Sequence, residues 1–289
     1  MARLGYVGLG IMGGPMARHL ATAKHSMTVY NRTTAKADAW VEQHGGARAL
    51  TPREVAEASD VVLMCVGNDN DVRSVVFGAD GILAGLKTGG ILVDHTTASA
   101  TIAREIADAC AKQGCGFVDA PVSGGQAGAE NGQLTIMCGS NDPATFGAIE
   151  PIIAAYAKRS KLLGTAGSGQ LAKMVNQICI AGIAQGLSEA LNFAMRAGLN
   201  PDDVVDVISK GAAQSWQMEN RAKTMVRDEF EFGFAVEWMR KDLGICFDEA
   251  SRNGAQLPMT EMVDKFYEEV VAMGGKRWDT SSLIARLTD

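Results

Sequence analysis

The stretch Arg3-Leu4-Gly5-Tyr6-Val7-Gly8-Leu9-Gly10-Ile11-Met12-Gly13 decides the fold. Arg3–Val7 reads as a short β-strand, and apolar residues at helical spacing follow over about 12–24. A Gly-x-Gly-x-x-Gly run takes its meaning from that strand before it and that helix after it. Gly8 permits a tight turn, Gly10 lets the backbone approach a pyrophosphate, and Gly13 lets the helix pack closely on the strand. The helix start offers unpaired N–H groups and the positive end of its dipole to phosphate. Gly8, Leu9, Gly10, Ile11, Met12 and Gly13 are therefore the expected dinucleotide-binding residues.

Outward from this turn, β-rich runs recur at Met27–Tyr30, Val61–Val66, Gly90–Asp94, Gly116–Asp119, Leu134–Cys138 and Lys161–Leu163. Amphipathic segments near 12–24, 34–44, 69–77, 101–113 and 142–157 lie between them. Alternation with fully apolar strands such as Val-Val-Leu-Met-Cys-Val predicts a mostly parallel, doubly wound α/β domain of Rossmann type. Residues 1–169 hold 24 of the 33 glycines, and the remainder reads as helix. A long helix is expected near 168–197, stopped by Gly198, with Asn200-Pro201 capping the next. At 1.5 Å per residue it would span roughly 45 Å, long enough to bridge two domains. Further helices are expected near 201–210, 216–228, 234–253, 258–273 and 280–287. The expected organisation is a Rossmann domain over 1–164 and an all-α domain over 165–289 that begins with the interdomain helix.

Composition narrows the function classes. With 47% hydrophobic and 21% charged residues in 289, a packed core is expected and disorder is not. Against 27 basic residues stand 33 acidic ones, a net −6, so nothing points to nucleic acid or an anionic membrane. No apolar stretch of 18 residues runs uninterrupted, which argues against a membrane span. The N-terminus enters a strand directly, without the plan of a signal peptide, so a cytoplasmic location is expected. The 6 cysteines and 4 histidines show no ligand spacing, which predicts reduced thiols and no metal site.

At the end of the second strand, where an Asp or Glu would accept from a ribose 2′-hydroxyl, stands Tyr30-Asn31-Arg32-Thr33. Asn31 and Thr33 offer hydrogen bonds, and Arg32 offers a guanidinium fork to a 2′-phosphate. This favours NADP(H) over NAD(H), the alternative being a solvated Arg32 that leaves both cofactors acceptable. Farther on, Gly167-Ser168-Gly169 opens the long helix that carries Lys173, Asn176 and Gln177 on neighbouring faces. A lysine on an otherwise apolar face suits proton transfer when partly desolvated, or it is a surface cation with a snorkelling stem. Ser123-Gly124-Gly125, just after a strand, is suited to hold an anion such as a substrate carboxylate, or is a plain turn. Trp216, Met218, Phe234 and Trp238 line either a pocket or a core.

Together these motifs resemble the β-hydroxyacid dehydrogenase family, which includes 3-hydroxyisobutyrate dehydrogenase, tartronate semialdehyde reductase and the glyoxylate/succinic semialdehyde reductases. The matching stretches are Gly8–Gly13 with Met16-Ala17, Asp94–Ser99, Asp119–Gly125, Gly167–Gly169 leading to Lys173 and Asn176, and Lys241-Asp242-Leu243. The resemblance implies an NAD(P)-dependent oxidoreductase that interconverts a small 3-hydroxy acid and its semialdehyde, or an NADPH-dependent semialdehyde reductase. It makes Lys173 the general acid/base and gives Ser123, Gly124 and Gly125 the substrate carboxylate. It places Asn176 or Gln177 on the substrate, and Val66, Thr97 and Lys241 on the cofactor. Phe234 is similar to an aromatic that closes the family's pocket. A homodimer or homotetramer is implied as well. The competing class is a dinucleotide-binding protein that keeps the fold without the chemistry. His19, His95-Thr96 and Ala100 depart from the family's commonest residues at those places.

Overall fold

The structure, a computed structural model, describes residues 1–288. Contacts divide the chain into two compact units, Met1–Lys173 and the segment from Met174 onward. In the first, strands β1 (Arg3–Val7), β2 (Ser26–Tyr30), β3 (Ala47–Arg48), β4 (Val61–Met64), β5 (Ile91–Asp94) and β6 (Gly116–Asp119) form one sheet. Its order is β3-β2-β1-β4-β5-β6, with every pair parallel. This is the dinucleotide-binding order, with its reversal between β1 and β4. The period-2 alternation of side chains divides the strands between two cores. Leu4, Tyr6, Leu63, Val93 and Val118 pack on one face with Met16, Leu20 and Trp40. Val7, Val62, Met64, Leu92 and Phe117 pack on the other with Val55, Val72, Ile102 and Ile106.

A smaller sheet follows, made of β7 (Val122–Ser123), β8 (Leu134–Cys138) and β9 (Ala157–Leu162). β7 is antiparallel to β8 and β8 is parallel to β9, so this region is not a continuation of the main sheet. β9 was expected only over Lys161–Leu163. Its first part, Ala157-Lys158-Arg159, carries charge, as an edge strand does.

The long helix spans Ser168–Arg196. Its end carries the 6→1 and 5→2 hydrogen bonds of a glycine stop: Leu199 N donates to Ala194 O, and Gly198 N, in a residue at φ +75°, donates to Met195 O. Asn200 caps the helix Pro201–Ile208 through Asp202 N. The expectation that no segment is apolar and long enough to cross a bilayer is corrected by this 29-residue helix. Its best window reaches a mean hydropathy of 1.3, because amides, Ala and Gly dilute it where charges would interrupt it. Ala181 and Ala184 belong to one core of the second unit, and Leu187 and Leu191 to another.

The helices Trp216–Val226, Val236–Asn253 and Pro258–Ala272 complete that unit. Near the C-terminus, the single helix expected over 280–287 is a 3₁₀ segment, Thr280–Ile284, followed by a short α-turn, Ala285–Thr288. Asp279 accepts from both the N–H and the hydroxyl of Ser281, a local bond that competes with an α-helical start.

Candidate functional site

The glycine turn sits at the carboxyl end of β1, and its three glycines have different physical reasons. Gly8 lies at φ +96°, and a Cβ there would meet the Cys65 carbonyl oxygen at 2.2 Å. A Cβ on Gly13 would meet the Gly8 carbonyl oxygen at 1.9 Å. Gly10 is different, since a Cβ there would meet nothing within 4 Å. The protein's own packing does not need glycine at position 10, whereas close approach of a pyrophosphate does. The turn therefore fits a dinucleotide. Leu9 is buried and Ile11 exposed, while Met12 starts the helix Gly13–Thr22.

Asn31 braces this turn. Its Oδ1 accepts from Leu9 N (3.0 Å) and its Nδ2 donates to Thr33 O (3.1 Å). Arg32 points to solvent with its side chain 87% exposed, 3.3 Å from Asp71. Val66 N donates to Thr96 Oγ1 at 3.0 Å, which joins the ends of β4 and β5 one residue from Thr97.

Lys173 is buried, at 7% exposure. Its helix is anchored by Asp119 at the end of β6. One Asp119 oxygen accepts from Gly167 N (2.7 Å) and the other from Gln170 N (2.9 Å). Burial pushes this carboxyl up to about 6, against the N–H groups that favour its charged form. Asp94, at the end of β5, accepts from Thr96 N (2.8 Å) and is pushed up to about 7, chiefly by burial. His95 is pushed down to about 4 by burial and is neutral. Its Nδ1 donates to Ala120 O at 2.7 Å, and its Nε2 accepts from Tyr156 Oη at 2.8 Å. Ala120 leads into Pro121, Val122 and Ser123. Beyond them, Gly124 and Gly125 lie at φ +131° and +62° and open a short helix, Gly125–Glu130. Ser123 is half-buried and both glycines are exposed.

In the second unit, a chain of amides follows Lys173 on the same helix. Asn176 Nδ2 donates to Gln177 Oε1 (2.8 Å), and Gln177 Nε2 donates to Asp242 Oδ2 (2.6 Å). The Lys241 ammonium lies 2.9 Å from Asp242 Oδ1. Gln177 is 2% exposed, with its amide oxygen and nitrogen both partnered inside the protein, whereas Asn176 is half-buried. Of the four residues near the expected substrate end, Met218 is core, whereas Trp216, Phe234 and Trp238 are exposed. Phe234 N donates to the buried Asp279 carboxylate (2.8 Å), which also receives Arg221 Nε (3.2 Å).

Gln170 and Asp279 were not singled out from the sequence, whereas Asp119 and Asp242 stood in matching stretches without a role of their own. Asp119 also left a positional signal, an acid at the carboxyl end of a strand. Among the described residues no group of three or more His, Cys, Asp or Glu side chains could hold a metal ion.

Two family models match the chain. Residues 3–167 match the NAD binding domain of 6-phosphogluconate dehydrogenase, and residues 167–287 match the NAD-binding domain of NADP-dependent 3-hydroxyisobutyrate dehydrogenase. The chain belongs to the β-hydroxyacid dehydrogenase family. It is 61% identical to an uncharacterized oxidoreductase of Shewanella frigidimarina over 99% of this chain and 98% of that one. It is 34% identical to the 2-hydroxy-3-oxopropionate reductase of Escherichia coli, over 99% and 97% of the two chains. Among solved structures, 3-hydroxyisobutyrate dehydrogenase of Mycobacterium tuberculosis with L-serine superposes with a TM-score of 0.90 at 28% identity, covering 100% of both chains. The chain is thus an NAD(P)-dependent hydroxyacid dehydrogenase of the 3-hydroxyisobutyrate dehydrogenase or tartronate semialdehyde reductase type.

Proposed function

We propose that the protein reduces a short, singly charged semialdehyde acid, or oxidises the matching 3-hydroxy acid, with Lys173 as general acid/base. The observation that carries this reading is the burial of Lys173 about one helical turn beyond Gln170, on a helix start fixed to the ends of β5 and β6. A bound nicotinamide supplies or takes the hydride. The Lys173 ammonium gives its proton to the oxygen of the carbonyl as that oxygen gains charge, and the neutral amine takes it back in oxidation. Such acid–base help is worth about 10²–10⁴-fold.

The backbone N–H groups at Gly124 and Gly125 and the Ser123 hydroxyl hold the substrate carboxylate, which orients the carbonyl carbon. Asn176, supported from behind by Gln177, is the amide that orients the substrate. Thr97 and Val66 flank the cofactor. NADP(H) is preferred over NAD(H), because Asn31, Arg32 and Thr33 present a cation and no carboxylate at the end of β2. The protein is a cytoplasmic homodimer or homotetramer. Candidate substrates are 3-hydroxyisobutyrate, 2-hydroxy-3-oxopropionate (tartronate semialdehyde), succinic semialdehyde and glyoxylate.

A panel of these compounds, assayed with NADPH and with NADH, tests the reading. We expect turnover with at least one compound, faster with NADPH. In the best case found, Lys173→Ala lowers kcat at least about a hundredfold and leaves dinucleotide affinity near that of the parent. Comparable turnover in that variant removes the lysine from the chemistry. Binding of NADPH without turnover of any compound favours a dinucleotide-binding protein without catalysis.

A further inference from the structure

We propose that Gln170 is a positioning residue that clasps the turn bearing Thr97 to the helix bearing Lys173. The proposal rests on the dehydrogenase reading above and deepens it. Gln170 is 1% exposed, and both ends of its side-chain amide are matched to backbone. Its Oε1 accepts from Ala98 N at 3.1 Å, and its Nε2 donates to Thr96 O at 2.7 Å. Those two backbone groups bracket Thr97. A carbonyl and an N–H two residues apart on an extended chain face the same side, as along the edge of a strand. One primary amide therefore takes the place of a neighbouring strand where the sheet has ended.

The partners on both sides are themselves fixed. Gln170 N donates to Asp119, whose second oxygen receives Gly167 N. Thr96 receives Val66 N on its hydroxyl and donates its own N–H to Asp94. The carboxyl ends of β4, β5 and β6 and the first turn of the long helix are thereby one hydrogen-bonded body. Lys173 lies three residues beyond Gln170, about 4.5 Å along the helix axis. The clasp sets how far the Lys173 amine stands from the Thr97 turn, and all of it lies inside the Met1–Lys173 unit. A displacement of about 1 Å at a reacting centre is enough to lower turnover a hundredfold.

The test uses Gln170→Met, which has similar length and no polar match, and Gln170→Glu, which keeps an acceptor for Ala98 N and keeps a donor to Thr96 O only while its carboxyl holds a proton. The first readout is amide hydrogen exchange on the cofactor-free protein. Exchange in the peptide covering residues 95–99 is expected to accelerate at least about tenfold in Gln170→Met, with the strands of the main sheet unchanged. The second readout is steady-state turnover at saturating NADPH and the best semialdehyde. We expect kcat to fall about ten- to a hundredfold in Gln170→Met and less in Gln170→Glu. NADPH affinity is expected to stay within about threefold of the parent, with KM moved less than kcat. Unchanged exchange overturns the clasp. Accelerated exchange with kcat within about twofold of the parent overturns its role in catalysis and leaves a structural bond only. Should Gln170→Met not fold, Gln170→Glu decides by the same two readouts. A parent protein without turnover overturns the dehydrogenase reading and the positioning role with it, while exchange still decides whether the clasp exists.

Discussion

At the scale of single residues, the three glycines of the first turn separate what folding needs from what binding needs. Positions 8 and 13 would drive a Cβ into backbone oxygen, whereas position 10 faces open space. Gly10→Ala is therefore expected to keep the Tm of the cofactor-free protein within about 2 °C of the parent and to weaken NADPH binding at least about tenfold. Gly13→Ala should instead lower Tm sharply. Thermal melts beside a fluorescence titration check this pair, and undiminished NADPH binding by Gly10→Ala would sink the assignment.

Asp94 gives a pH prediction at the same scale. Burial lifts its carboxyl from the usual 3.8 to about 7, so between those values the folded protein holds a proton that the unfolded chain has released. Stability from this residue is greatest at low pH, falls as pH rises through the window, and levels off above about 7. Asp94→Asn keeps an acceptor for Thr96 N and abolishes the titration. The variant's Tm relative to the parent should rise between pH 5 and pH 8 by about 5 °C or more. A constant difference across that range would show that Asp94 does not titrate there.

At the scale of elements, Asp279 ties two segments of the second unit together. Its carboxylate receives Phe234 N, Ser281 N, the Ser281 hydroxyl and Arg221 Nε, and it is 1% exposed. Around it, Asp279 N donates to Phe230 O, and Thr280 N donates to Phe234 O. Arg221 itself lies 4.8 Å from the Trp216 ring and 4.8 Å from the Phe232 ring. Removing the carboxylate strands a largely buried guanidinium and several N–H groups, at a cost of about 3–5 kcal/mol. Asp279→Ala should thus unfold at markedly lower urea concentration than the parent. An unchanged midpoint would mean that water replaces these bonds.

Short elements were also where sequence reading stopped. β3 and β7 have two residues each, too few for a period of 2 to register. Each exists because a longer neighbour, β2 or β8, supplies its partners. The helices Pro52–Glu57, Ile82–Gly85 and Gly125–Glu130 are shorter than two turns. Only the first left a readable mark, the Thr51-Pro52-Arg53-Glu54 capping pattern. Thr51 Oγ1 there accepts from Glu54 N, and the Glu54 carboxylate accepts from Leu50 N.

At the scale of the whole molecule, the second unit leaves large apolar side chains in water. Val175, Ile183 and Phe193 on the long helix are 62%, 40% and 72% exposed, and Val207 is 77% exposed. Exposure of this kind on a helical unit supports the proposed homo-oligomer. Light scattering on the 30.5 kDa chain should return two or four times the monomer mass at micromolar concentration. A monomer there would remove the proposal.

The sequence by itself determined the parallel sheet, the glycine turn, the long helix with its stop at Gly198, and the polar residues at the ends of strands. These are local patterns, written in the spacing of apolar residues and in the backbone freedom of glycine. Only the tertiary structure decided that Lys173 is buried, that Gln177 is committed to Asn176 and Asp242, and that Asp119 and Gln170 hold the helix start. Those facts depend on packing and on hydrogen bonds such as Gln177 to Asp242 and Gln170 to Asp119, between residues tens of positions apart. Burial turns each such bond from optional to obligatory, because no water is there to take its place.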